Sequence, residues 1–274
     1  QSFNIRPGDN PVEMELPMGK EFLTWDEFSP ALYKLTAKLT NGKQTDTQQV
    51  QFGMRDFKIE GKWFYVNGRK TMLRGTVENC DFPLTGYAPM DVASWERVFR
   101  ICRNYGLNHM RFHSFCPPEA AFIAADLVGF YLQPEGPSWP NHGPRLGNGQ
   151  PIDKYLMDET IALTKEYGNY ASYCMRACGN EPSGRWVAWV SKFVDYWKAT
   201  DPRHVYTGAS VGGSWQWQPH NQYHVKAGAR GLSWAGSQPE SMSDYRAKID
   251  SVKQRYVSHE TGQWCAFPNF SEIR

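Results

Sequence analysis

The chain has 274 residues, 41% hydrophobic and 21% charged, enough for one large folded domain or a domain with a smaller piece attached, and this composition argues against disorder. Its formal net charge of +2 comes from well-mixed acids and bases, so no basic stripe points to nucleic acid. No apolar run approaches the roughly 18 residues that a membrane span requires.

Aromatic residues make up 15% of the chain and include 11 Trp; such faces suit sugar rings but also fill cores, a mild pointer to carbohydrate. None of the cysteines at 80, 102, 116, 174, 178 and 265 forms a CxxC pair. Cys174 and Cys178 read as buried small hydrophobes. His113 with Cys116 lacks further ligands at zinc spacing, so no metal or other cofactor is expected.

In chain order, "VEMELP", "LYKLTAKLT" and "TQQVQFGMR" read as strands separated by turn signals, so residues 1–55 are expected to form part of an immunoglobulin-like β-sandwich. "FKIEGKWFYVNGRKTMLRGT" follows as a hairpin turning at Asn67-Gly68. The rhythm then changes to alternating strands and helices. A helix over "DVASWERVFRICRNYG" has Asp91 as its cap, and another opens at Pro118 and stops at Gly129. "LNHMRFHS", "FYLQPEG", "ASYCMRACGNE", "HVYTGAS", "QYHVKA" and "RYVSHETG" read as further strands, and helices are expected over "DKYLMDETIALTKEYG", "RWVAWVSKFVDYWKATDP" and "MSDYRAKIDSVKQ". Such alternation implies a parallel sheet, and no GxGxxG follows its first strand, so residues 56–274 are expected to form a (β/α)8 TIM barrel. Only "QWCAFPNFSEIR" is left for an eighth unit, so the barrel is read as lacking its last unit and the chain as a fragment or truncated product.

Barrel chemistry sits at the C-terminal strand ends. Those ends supply Asn79, then Arg111 with His113, then Glu135, then Asn180 and Glu181, with Tyr223 and His224 ending strand six and His259 and Glu260 ending strand seven. Two carboxylates facing each other across one barrel mouth are what glycoside hydrolysis requires, one as nucleophile and one as acid and then base. Arg111 is placed to keep Glu260 ionised, and Asn180 to hold a sugar hydroxyl. The plainer alternative makes Glu181 an acid at the start of the next helix.

Several stretches resemble glycoside hydrolase family 2, the group of β-galactosidases, β-glucuronidases and β-mannosidases. They are "WDEFSPALYKL", in which Asp26-Glu27 departs from the usual spacing, "FGMRDFKIEGKWFYVNGRKTMLRG", "GLNHMRFHSFCPPEAAFIAADLVGFYLQPEG", "GNEPSG" and "HETGQW". The resemblance implies Glu181 as acid/base, Glu260 as nucleophile and Arg111 as the residue steadying the nucleophile. His113 falls one place before the family's usual His. Glu135 matches a carboxylate that helps hold magnesium in some β-galactosidases; those have a His where this chain has Pro137, so a hydroxyl-binding or buried structural acid and no metal are expected. In this clan the end of strand six often carries a group touching the nucleophile, which selects Tyr223 and His224. Trp264 is placed to wall the subsite, while Trp215 and Trp217 are open to two readings, sugar stacking or packing beneath a loop. His109 reads as a satisfied core histidine.

The resemblance implies a retaining exo-β-glycosidase, with β-galactoside the first substrate to try and a periplasmic or secreted location favoured over a cytoplasmic one. A catalytically silent carbohydrate-binding barrel and an endo-acting glycanase of the same clan are the alternatives. A barrel short of one unit exposes strand edges, so an oligomer or missing domains are expected to cover them.

Overall fold

The computed structural model describes residues 2–139, 145–212, 215–227, 244, 246–259 and 271. "VEMELP" forms no strand: residues 12–17 are exposed, with no neighbouring strand to take up their backbone hydrogen bonds. The next two segments do pair, as an antiparallel ribbon of β1 (Tyr33–Asn41) and β2 (Gln44–Phe52). Its register sets Tyr33 opposite Phe52 and Leu35 opposite Val50 on one face, and Lys34, Thr36 and Lys38 on the other. Period-two alternation thus yields one apolar and one polar face.

A three-stranded antiparallel meander follows: β3 (Phe57–Glu60), β4 (Trp63–Val66) and β5 (Arg69–Thr71). Asn67 and Gly68 both take positive φ, 52° and 77°, the backbone that a two-residue hairpin needs. The meander buries Phe57, Phe64 and Val66 against Trp25, Tyr131, Met175, Val205 and Tyr223.

The remaining strands are parallel. β6 (Gly75–Glu78), β7 (His109–Phe112) and β8 (Tyr131–Pro134) pair in that order. Between β8 and the short β9 (Arg145–Leu146) runs the loop that carries Glu135. β10 (Met175–Asn180) joins β8 through parallel bridges at Leu132 with Tyr173 and Glu135 with Ala177, and β11 (Ser183–Gly184) pairs with β9. β12 (Val205–Gly212), β13 (Tyr223–Ala227) and β14 (Arg255–Ser258) continue the row beyond β10. Consecutive parallel neighbours need crossovers. Helices α1 (Val92–Asn104), α2 (Glu119–Val128), α3 (Pro151–Tyr167), α4 (Trp186–Thr200) and the short α5 (Arg246–Asp250) lie within them. Tyr131, Met175, Val205 and Tyr223 are the first residues of their strands, so the meander packs beneath the N-terminal strand ends.

Helix boundaries follow local chemistry. Asp91 caps α1 by accepting from the Ser94 backbone N–H at 2.8 Å, and Trp95 and Phe99 on the inner face are buried. Asp91→Ala should lower stability, read as a lower urea midpoint at unchanged slope. Gly129 ends α2 in the left-handed conformation. Asp26 and Glu27, the departure from the family spacing, are structural acids. Asp26 accepts from the Phe28 and Ser29 N–H groups, and buried Glu27 accepts from Asn108 at 3.0 and 3.1 Å and from Arg74.

Candidate active site

At the opposite ends of the strands from the meander, Arg111 organises a buried polar network. Its Nε and Nη2 donate to the two carboxylate oxygens of Glu135 at 2.7 and 3.1 Å, a bidentate pair with both residues buried. Nη2 also donates to Asn180 Oδ1 at 2.6 Å, and Nη1 to His259 Nδ1 at 3.1 Å. The His259 Nε2–H donates to the Val211 carbonyl at 2.8 Å, which leaves Nδ1 as the acceptor that Arg111 needs. Glu135 further accepts from the Ser210 hydroxyl at 2.5 Å and the Ser114 N–H at 3.0 Å. Burial by itself would raise the Glu135 pKa; the charge and hydrogen bonds of Arg111, with those of Ser210 and Ser114, outweigh it and hold the carboxyl below its ordinary range.

Above this base lie three partly exposed side chains. Glu181 leaves the end of β10 with φ +41°, a left-handed backbone uncommon for a residue with a side chain. Its N–H donates to the Ser210 carbonyl at 2.9 Å, and the Asn180 N–H donates to the Ser138 carbonyl at 2.8 Å. The first bond ties the end of β10 to β12; the second draws the loop after β8 against β10, and glycine makes that approach possible: a Cβ on Gly179 would stand 2.6 Å from the Ser138 carbonyl oxygen. The same loop delivers Trp139, whose Nε1–H donates to Glu181 Oε2 at 3.1 Å. His113 meets the Trp139 ring edge-on, centroids 4.7 Å apart, and bonds the Ser114 hydroxyl at 3.0 Å.

Of the residues singled out in the sequence, Arg111, Glu135 and Asn180 are bonded directly and His113 and Glu181 both contact Trp139, and Glu135 is the carboxylate that Arg111 holds among the described residues. Glu260 and Trp264 lie outside the described residues, as does His142. Tyr223 and His224 do not join the group. They open β13 rather than end it. Tyr223 is fully buried, its hydroxyl donating to Gln133 at 3.1 Å, and His224 stacks on Trp217 with centroids 3.6 Å apart. The strand lies where "QYHVKA" was expected to form one, but these residues stand at its start, and alternation along it sends the two neighbours to opposite faces. Trp215 packs against Trp186, and both loop tryptophans are partly buried. Trp139, Ser114 and Ser210 were not anticipated: turn-forming neighbours such as "EGPSW" carry no periodic signal for a tertiary approach.

A cavity of ≈ 200 Å³ runs below Arg111, lined by Gly75, Thr76, His109, Gln133, Val257 and His259 among others. The first and last strands of the row, β6 and β14, thus wall the same space. His109 is buried there, but among the described residues neither its Nε2 nor the Gln133 Nε2 has a partner, so it is not the satisfied core histidine expected. Burial and the nearby Arg111 push the His109 pKa down to about 4. Its ring should titrate near there by NMR, against roughly 6.5 unfolded. Because the folded value is depressed, its contribution to stability is complete above about pH 6.5 and is lost as pH falls toward 4. Among the described residues no group of three or more His, Cys, Asp or Glu could hold a metal ion, and no helix is long and apolar enough to cross a membrane.

Comparison with known proteins finds similarity to proteins named as glycosidases. Residues 9–55 match the family model "Glycosyl hydrolases family 2". A β-galactosidase of Thermoanaerobacter pseudethanolicus is 30% identical over 149 residues, 53% of this chain and 20% of that protein. A Formosa agariphila protein, named a β-glucuronidase only provisionally, is 26% identical over 246 residues, 85% of this chain and 28% of the relative. Among solved structures, the β-glucuronidase of Parabacteroides merdae with glycerol in its active site superimposes with a TM-score of 0.67 at 21% identity, covering 86% of this chain and 30% of that one. The chain is a relative of glycoside hydrolase family 2, and it spans 11–28% of the length of the curated relatives it matches.

Proposed function

We propose that this chain carries the core of the catalytic centre of a retaining β-glycosidase, exo-acting and β-galactosidase-like. In this reading Glu181 is the general acid/base and Glu260 the nucleophile. Residues 56–274 belong to a (β/α)8 TIM barrel, and residues 1–55 to part of an immunoglobulin-like sandwich. One observation carries the reading: Asn180 and His259, the residues immediately before the two glutamates, contact the same guanidinium, Arg111, at 2.6 and 3.1 Å. Two strand ends far apart in sequence are thereby tied to one cation, which supports their glutamates facing a shared sugar.

In the first half-reaction Glu181 gives its proton to the glycosidic oxygen as the bond to the anomeric carbon breaks, and Glu260 bonds to that carbon. In the second, Glu181 takes a proton from water, whose oxygen displaces Glu260. The Asn180 Nδ2, buried and without a partner among the described residues, is a donor for a sugar hydroxyl. Arg111, engaged by Glu135 and Asn180, steadies the end of β14. The test is an activated 2-deoxy-2-fluoro-β-galactoside followed by peptide mapping. A covalent adduct on Glu260 is expected; tight sugar binding without an adduct would assign a binding module instead.

A further inference from the structure

We propose that Trp139 orients the acid/base carboxyl and supplies the face on which the leaving group rests. The proposal deepens the glycosidase reading and depends on Glu181 being its acid. Three observations meet at this side chain. Its Nε1–H donates to Glu181 Oε2 at 3.1 Å. Its edge contact with His113, at 4.7 Å and 71° between planes, restrains the ring from a second side. Yet the residue is 55% exposed, although a tryptophan used only to fill space would be covered.

The hydrogen bond occupies one carboxyl oxygen. A carboxylic acid has a single proton to give, so with Oε2 accepting from the indole the proton sits on Oε1. That proton passes to the glycosidic oxygen while the electron pair of the breaking bond to the anomeric carbon stays on that oxygen. Trp139 keeps its own proton throughout. The residue is therefore a positioning residue for the transfer, acting through Glu181.

The exposed indole has a second consequence. The leaving group departs from the atom that Oε1 protonates, so it lies on the Glu181 side of the sugar, beside the indole. A flat apolar surface there suits an aglycone with a flat apolar face of its own, either an aryl ring or the C–H face of a second pyranose. A simple alkyl aglycone would have little to gain. The loop's attachment reinforces this: the Ser138 carbonyl is held by the Asn180 N–H at 2.8 Å, so the ring is presented by a braced segment.

The experiment uses the full chain and the variants Trp139→Phe and Trp139→Ala. Phenylalanine keeps a flat ring and removes the N–H. It should lower kcat about tenfold for phenyl β-galactoside, which needs protonation to leave, and leave 2,4-dinitrophenyl β-galactoside nearly unchanged. Alanine should in addition weaken the binding of phenyl β-galactoside and of lactose about tenfold relative to methyl β-galactoside, and the phenyl and lactose arms separate aryl from sugar aglycones. A readout independent of turnover follows the indole N–H resonance of Trp139, assigned by its loss in Trp139→Phe. It should shift with pH in the wild type and stop shifting in Glu181→Ala. An indole signal indifferent to Glu181, or equal binding of the phenyl and methyl glycosides in wild type and Trp139→Ala, overturns the proposal. If no glycoside is turned over while the indole still follows Glu181 and the phenyl preference still depends on Trp139, the hydrolase reading falls and the platform stands.

Discussion

Arg111→Met should destabilise the folded chain by about 3 to 5 kcal/mol, because it leaves a buried carboxylate without its cation. Glu135 has no solvent-exposed surface, and Arg111 supplies two of the hydrogen bonds to its oxygens. With the guanidinium gone, burial becomes the dominant influence and raises the Glu135 pKa, so the variant takes up a proton that the wild type does not. The sign of the pH dependence follows. In the wild type the folded carboxyl titrates below its unfolded value, and its stabilisation is present above that value and lost as pH falls. In Arg111→Met the folded value lies above the unfolded one, so stability is lost as pH rises. The gap between the two proteins in urea unfolding should therefore be widest near neutral pH and shrink in acid. The double variant Arg111→Met/Glu135→Leu should regain much of the loss, since removing both partners leaves no buried charge. A double variant no more stable than the single one would show that the pair is not what holds this layer together.

Glu181→Gln should leave the fold intact and lower kcat by about 10²- to 10⁴-fold for substrates with poor leaving groups. Glu181 is only partly buried, and glutamine retains an acceptor for Trp139. The absent proton is felt in the first half-reaction, so the loss of kcat/KM should be much smaller for 2,4-dinitrophenyl glycosides, whose departure needs none; with no base to activate water the glycosyl-enzyme then accumulates, and azide, which needs no base, should restore its turnover. An equal loss across leaving groups would remove Glu181 from the acid role.

The elements governed by local chemistry were legible in the residues. Asp91 before an amphipathic run, Pro118 and Gly129 bracketing an apolar one, and Asn67-Gly68 between β-formers each mark a boundary with a backbone requirement that few other residues meet. The place of Glu181 was legible for a different reason: an apolar run that breaks into Gly-Asn-Glu-Pro marks the end of a strand, and β10 ends at Asn180. The expected partner of Arg111 was read from the chemistry of the reaction, whereas Glu135 comes into contact because β7 and β8 are parallel neighbours, with Arg111 paired to Gln133 two residues earlier. Tyr223 and His224 were misplaced because they begin the strand, whose C-terminal end is formed by Lys226 and Ala227. Trp139 went unseen because its role arises from backbone bonds between segments some forty residues apart.

The base of the β1–β2 ribbon is clamped. Arg55 donates to the carbonyls of Ala171, Tyr173 and Arg203 at 2.5 to 2.7 Å, Gly53 lies so close to Trp25 and Ala171 that a Cβ there would sit 2.8 Å from Ala171, and the indole of Trp25 donates to the Asp126 carbonyl at 2.9 Å. Mechanically the ribbon is a cantilever and not a tether. Whatever rests on its Leu35 and Val50 side is thereby set at a fixed angle to the parallel strands, and a pull on the ribbon's tip is delivered to the roots of β8 and β10 instead of being absorbed by a hinge.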